Sequence, residues 1–534
     1  MNGMIVAPEP IAVEAGARVL MEGGNAVDAA VTCAFVQGVV NPQMCGIGGY
    51  ALSVIQRPGT AAPELLDAPA LAGALAMPDM WVDRYIGLSP DGWGYFLQGK
   101  VNDAGYQSIC TPGTVRHLAT LLARHGTIAW ERAIEPAARV AEQGFVVDTA
   151  LAARWKSRQR YPDACSLLDY IRANAEAQRI YLKDGRPYDE GETINNPDYA
   201  RTLRHLARHG ADDFYHGELA ERMSADLAAN RAFVTTDDLG AYAARDDTPV
   251  TGSYRGLTLA TSQPPHGGPT LIAILNILEG YDLAAMAHNS PEYIYRVAMA
   301  MKAAFADRNP YLGDPQFGDV PLGWMTSKER ATYWRAQIDA GAPIVVSDTP
   351  TTAPDTTHVS VVDRDGTCVA LTHSLGMSSG VITPGLGFMY NNSMVNFNPL
   401  PGHRNSIAPR KGRTTGMAPT IVYRDGAPAL VVGAPGASRI ITGVLQVILN
   451  VLDFGMSPAE AVLAPRFDCQ GNLIVCQARI PEYVCERVRE RHPIARIPQS
   501  HGGLALVHAI GIDAATGRRS GGADTGSGGM ALEV

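Results

Sequence analysis

At 534 residues and 56.8 kDa, with 46% hydrophobic and 18% charged residues, the chain has ample apolar material for a large buried core and the composition of a soluble globular protein. Its formal net charge of −9 and its scattered basic residues exclude the concentrated positive field that nucleic acid or an anionic membrane requires. No stretch approaches the roughly 20 apolar residues that cross a bilayer. The run Met1 to Glu9 lacks the basic and long apolar regions of a secretory signal, so a cytoplasmic location is expected.

In chain order, Ile11, Ala15 and Val19 recur at helical spacing until Gly23-Gly24 stops the helix, and Asn25 caps a second helix running to about Val40. Pro42 ends that helix, Gly46-Ile47-Gly48-Gly49 makes a tight turn, and Tyr50 to Ile55 has strand composition. Residues from about 113 to 305 read as mostly helical. After Asp355 the character changes: Thr356 to Asp363 reads as a strand, Arg364-Asp365-Gly366 as a turn and Thr367 to Ser374 as the returning strand. Strands near 420–423 and 429–432 lead through Gly433-Ala434-Pro435-Gly436-Ala437 into a helix from Ser438 to about Leu452. This segregated order predicts stacked sheets covered by helices.

The eight cysteines form no CxxC pair and most lie in apolar segments, so they read as buried thiols. No His, Asp or Glu spacing suits a metal, and neither GxGxxG nor a P-loop is present, so no cofactor is expected.

A threonine opening a strand directly after a polar loop, as Thr356 does, carries one chemical option that an interior threonine lacks. Cleavage before it would create a free α-amine a few ångströms from Oγ, and an amine with an unperturbed pKa of about 7.7 to 8.0 can serve as the base for that hydroxyl. The run Asp355-Thr356-Thr357-His358-Val359-Ser360-Val361-Val362-Asp363 resembles the processing segment of the gamma-glutamyltransferase family. Matching segments follow the same order along nearly the whole chain: Gly23 to Ala30, Gly46 to Gly49, Ala306-Asp307-Arg308 with Tyr311 to Pro315, Met417 to Val422, and Pro435 to Thr442.

The resemblance implies an α+β fold, a four-layer αββα sandwich of the N-terminal-nucleophile hydrolases. It also implies cleavage between Asp355 and Thr356, giving segments 1–355 and 356–534 as a heterodimer within one structural domain, with further oligomerisation left open. Thr356 Oγ would attack first the Asp355 carbonyl and then substrate amides. The family's oxyanion donors map to the N–H groups of Gly436 and Ala437, its neighbouring hydroxyl to Thr357, and the hydroxyl that bonds the nucleophile to Ser374. Preorganised oxyanion donors are each worth roughly 3 to 4 kcal/mol.

The recognition residues depart from the family. Pro69 stands at its arginine, Gly376 at its Asn, Ser393 at its Gln, Asn396 at its amino-binding Asp, and Thr415-Gly416 at its Ser-Ser pair. Losing the Arg and the Asp removes the handles for a zwitterionic glutamyl head group. Arg413 is a compensating charge, read either as a ligand for an acyl carboxylate or carbonyl, or as a solvated member of the basic stretch 410–413. His266 is expected at the substrate entrance, and the short loop from Asn398 to Lys411 implies an open site. His373 should point to the strand face opposite Ser374. The expectation is a Thr-dependent amidase or acylase acting on a small non-gamma-glutamyl amide, such as a dicarboxylic monoamide like oxamate or an acylated amine, with hydrolysis favoured over acyl transfer. The alternatives are a gamma-glutamyl hydrolase or transferase with a remodelled pocket, and a catalytically silent binding protein.

Overall fold

Asn25 caps its helix as its sequence position predicts. Its side chain accepts from the N–H groups of Val27 and Asp28, and Asp28 returns a bond to the Asn25 N–H, so helix Ala26–Val40 starts cleanly after helix Pro10–Met21. The computed structural model describes residues 3–88, 94–157, 161–347 and 356–534.

Strands Thr357–Asp363 and Cys368–Ser374 form the expected hairpin, with Thr357 opposite His373 and Val362 opposite Cys368. They lie inside a seven-stranded sheet whose order is Arg245–Asp247, Glu64–Ala68, Tyr50–Gln56, Cys368–Ser374, Thr357–Asp363, Gly3–Ala7, Met530–Glu533. A second sheet runs Val250–Tyr254, Leu257–Thr261, Thr420–Arg424, Ala427–Gly433, His508–Ile512, Arg519–Ala523. Residues before and after 356 thus both supply strands to each sheet.

Period-two alternation divides each central strand between two cores. Ile5, Val359, Val361, Val369 and Leu371 pack under the first helical layer. Met4, Val6, Val362 and Ala370 face Ile421, Val431 and Ile510 across the gap between the sheets. On the far side, Leu259, Val422, Leu430 and Val432 pack against helices Gly268–Leu278, Pro291–Tyr311 and Arg439–Leu452. Helix, sheet, sheet and helix make the αββα sandwich that the resemblance implied.

Among the described residues, the stretch read as mostly helical contains seven strands, four of two residues each and three longer ones at Arg245–Asp247, Val250–Tyr254 and Leu257–Thr261. The last two form a hairpin through Arg255 and Gly256, both at positive φ (52° and 78°), a two-residue turn whose twist suits antiparallel strands. Thr251, Gly252 and Ser253 dilute the apolar alternation of the edge strand, which is why the periodicity of the flanking helices hid it. Among the described residues, no helix is long and apolar enough to cross a membrane. All eight cysteines are free, and seven are buried.

Four histidines lie fully inside the sandwich. Burial lowers His117 and His373 to about 3 and His508 to about 4, and pushes His358 well below the usual imidazole range. All four are neutral in the fold, whereas the unfolded chain protonates them below about 6.5. The unfolded state therefore binds more protons as pH falls below that value, and stability contributed above it is lost toward the folded values. Urea melts should show a midpoint that drops between pH 7 and pH 5, by up to ~1.4 kcal/mol per pH unit for each histidine. A flat midpoint over that interval would contradict the burial of these rings.

Candidate active site

Thr356 sits at the end of a strand that is hydrogen-bonded on both edges, and its side chain shares the inter-sheet face with His358 and Ser360. Its hydroxyl donates to Ser374 Oγ at 3.2 Å, and Ser374 Oγ also accepts the Gly376 N–H at 2.9 Å. The hairpin register makes Ser374 the cross-strand partner of this position, so strand pairing itself sets the two hydroxyls face to face. Asp355, the other half of the expected cleavage bond, lies outside the described residues.

Thr357 points the other way, into the helical layer, by the same alternation. Its hydroxyl donates to the Glu9 carboxylate at 3.1 Å and accepts from Gln37 Nε2 at 2.9 Å. Glu9 also accepts from Gln37 and Asn41, each at 2.7 Å. Burial pushes the Glu9 carboxyl up, opposed by the hydrogen bonds from Asn41 and Gln37. His373 lies on this face too, donating from Nε2 to Gln37 Oε1 at 2.9 Å, as its strand position predicts. Thr357 thus clamps the start of the strand to helix Ala26–Val40 from behind, and its hydroxyl does not join Thr356 in the cavity. The sequence reading missed Glu9, Gln37 and Asn41. The one available signal was Gln37, a polar side chain in the last turn of an otherwise largely apolar helix.

In front of Thr356 is a cavity lined by Tyr50, Asn392, Asn396, Arg413 and Thr415, with Ala437 at its edge. Arg413 is 4% exposed, so it is not a solvated member of a basic stretch. Its guanidinium lies over the Tyr50 ring at 4.8 Å, bonds the Tyr50 hydroxyl, and donates to the Thr414 carbonyl at 3.0 Å, while Nε has no partner. Among the described residues, no carboxylate pairs with it, and it is the only charged side chain lining the cavity. The Asn396 side-chain amide also makes no hydrogen bond within the described fold and faces the same space.

Two sequence expectations are corrected here. Ser393 does not line the cavity; its neighbour Asn392 does, with Oδ1 accepting the Met377 N–H at 2.9 Å. The short turn Ser393–Asn396 rotates successive side chains out of strand alternation. His266 is 1% exposed and lies behind the wall instead of at an entrance, bridging Asp67 (3.0 Å) and the Thr415 hydroxyl (2.7 Å).

The turn before helix Arg439–Leu452 closes the site. Gly436 has φ 140°, and a Cβ there would lie 2.7 Å from Ala505 Cα, so only glycine fits. Ala437 accepts a left-handed φ of 56° at a cost of about 1 kcal/mol. Gly416 packs so tightly on this turn that a Cβ would stand 2.0 Å from the Ala437 carbonyl oxygen, so no side chain fits there. Among the described residues, no acceptor takes the N–H of Gly436 or Ala437, and both residues border cavities that Thr356 lines. Unengaged N–H groups at a helix start form an anion-binding corner.

An αββα sandwich, with a strand-initial threonine bordering the same cavities as this turn, is the architecture of the N-terminal-nucleophile amide hydrolases. The family pattern described as Gamma-glutamyltranspeptidase matches residues 12–534, and the chain belongs to that family as one of its amidases or acylases, hydrolysing carbon–nitrogen bonds. It is 35% identical over 488 residues to the glutathione hydrolase proenzyme of Escherichia coli (strain K12), covering 88% of this chain and 81% of that one. It is 34% identical over 527 residues to the acylase ACY 1 proenzyme of Pseudomonas sp. (strain V22), covering 95% and 89%. The crystal structure of cephalosporin acylase from Bacillus halodurans matches its fold with a TM-score of 0.87 at 27% identity, over 99% of this chain and 95% of that one.

The Ser374 contact yields a direct check. Replacing Ser374 by Ala removes a bond from Thr356 and leaves the Gly376 N–H unpaired, and we expect amide turnover to fall by about tenfold or more, the rate equivalent of 1–2 kcal/mol. Ser374→Thr keeps the hydroxyl and should recover most of the rate. Equal rates for the Ala and Thr variants would remove Ser374 from the catalytic assembly.

Proposed function

We propose that the protein matures by cleavage before Thr356 and then hydrolyses small amides whose acyl half carries a carboxylate but no cationic amine, a dicarboxylic monoamide being the simplest case. The observation that carries this reading is Arg413, a buried guanidinium without a carboxylate partner in the cavity beside Thr356. A buried charge is costly until it is paired, so the cavity favours an anion that completes the set. The aspartate that would hold a substrate ammonium is replaced by Asn396, whose free amide suits an uncharged polar group. Thr356 Oγ attacks the amide carbon, the new α-amine takes its proton, and the N–H groups of Gly436 and Ala437 receive the developing oxyanion. The amine departs, and water releases the acid from the ester.

Both an acylase and a glutathione hydrolase stand at about one-third identity, so overall similarity does not separate their substrates, and the argument rests on the cavity. Cleavage is tested by intact mass. The wild type should give two fragments, the smaller beginning at Thr356, and Thr356→Ala a single chain. For the acyl group, glutaryl and succinyl anilides should be hydrolysed in preference to a gamma-glutamyl anilide, and Arg413→Met should raise KM for the glutaryl anilide tenfold or more. Preference for the gamma-glutamyl anilide, or a KM indifferent to Arg413, would return the protein to the glutathione-hydrolase reading.

A further inference from the structure

Behind the cavity that holds Arg413, three side chains from distant parts of the chain meet in one line of hydrogen bonds. Asp67, on strand Glu64–Ala68, faces His266 Nε2 at 3.0 Å, and His266 Nδ1 faces the Thr415 hydroxyl at 2.7 Å. All three are buried, at 1–6% exposure, and of the three only Thr415 lines the cavity.

The direction of each bond follows from the end that cannot donate. A carboxylate only accepts, so the proton of the neutral His266 ring sits on Nε2 and leaves Nδ1 as an acceptor. Nδ1 therefore takes the Thr415 hydroxyl proton. The same hydroxyl oxygen already accepts the Met417 N–H at 3.1 Å, while the Thr415 backbone N–H donates to the Pro265 carbonyl at 3.0 Å and its carbonyl accepts from Arg308 at 3.1 Å. What the Thr415 side chain has left for the cavity is one lone pair and no proton. A carboxylate placed against it would set lone pair against lone pair, whereas an O–H or N–H group would complete its bonding. Arg413, which lines the same cavity, supplies donors and no acceptor. The two residues thus ask for opposite groups.

We infer that Asp67 and His266 are positioning residues that hold Thr415 as a hydrogen-bond acceptor, and that the acyl group carries an uncharged donor, a hydroxyl being the simplest, beside the carboxylate taken by Arg413. The inference rests on the acyl reading of Arg413 and narrows it to hydroxylated dicarboxylic monoamides. Neither positioning residue touches the substrate. Each acts through the proton it withholds from the cavity.

The test uses free acids, which need no turnover, at pH 8, above the ordinary imidazole pKa of about 6.5. Calorimetric titration of the purified enzyme should show one enantiomer of 2-hydroxyglutarate binding about fivefold or more tighter than glutarate. Thr415→Val removes the acceptor, and His266→Phe frees the Thr415 proton to meet a carboxylate, so each should cut that ratio to about twofold or less. His266→Gln, whose amide can donate to Asp67 and accept from Thr415, should keep most of the ratio, a rescue that a purely structural role for the ring does not predict. A wild-type ratio near one, a ratio that survives Thr415→Val, or a His266→Gln ratio as low as that of His266→Phe overturns the inference. Binding of both acids, lost together in Arg413→Met, reports on the acyl reading separately, so the two readings fail by different signs.

Discussion

Strand Thr357–Asp363 is paired on both edges and buried on both faces, and the chemistry of this protein is organised by that confinement. A central strand cannot slip by one residue without exchanging every side chain between its two faces. Thr357 is held into the helical layer by Glu9 and Gln37, so Thr356 must face the gap between the sheets. Ser374, its cross-strand neighbour, must then meet it. Thr356, the proposed nucleophile, is aimed by backbone pairing and by the polar cluster around the Glu9 carboxylate behind the sheet.

Around that fixed point, charge is distributed unevenly. The carboxylate of Glu9 is half-buried and saturated with donors, with Arg154 nearby, whereas the guanidinium of Arg413 borders Thr356 without a carboxylate partner among the described residues. Saturated charges hold structure; unsaturated ones hold ligands. The Tyr50 ring and hydroxyl offset part of the cost of burying Arg413, and the remainder is available to a bound anion. The Arg413 side of Thr356 is therefore poised for negative charge, although the chain as a whole carries a net charge of −9. In an acidic protein, an isolated buried cation gives discrimination that net charge does not.

The turn Gly416 makes with Gly436-Ala437 shows how recognition and catalysis constrain each other. The corner that offers N–H groups to an oxyanion presses on Gly416 closely enough to exclude a side chain there. That position offers no hydroxyl, and the neighbouring one, Thr415, is held from behind by His266 and Asp67. The polar character of the cavity comes to rest on Thr415, Asn396 and Arg413.

Local pattern alone determined the two opening helices and the Asn25 cap between them, the hairpin that begins at Thr356, the glycine turn before helix Arg439–Leu452, and the side on which His373 lies. Each depends on residues adjacent in the chain or on a period of two or 3.6, and such signals survive without tertiary context. The hairpin at Val250–Thr261 was not legible, because an edge strand with a polar outer face shows little alternation. The depth of Arg413, the retreat of Ser393 and His266 from the cavity, and the support of Thr357 by Glu9 were decided only by tertiary structure. These contacts join residues hundreds of positions apart, as Thr357 to Glu9 and Arg413 to Tyr50, and each sets whether a polar group meets solvent, a partner or a cavity. Sequence spacing carries no information about that choice, because burial is a property of the packed layers.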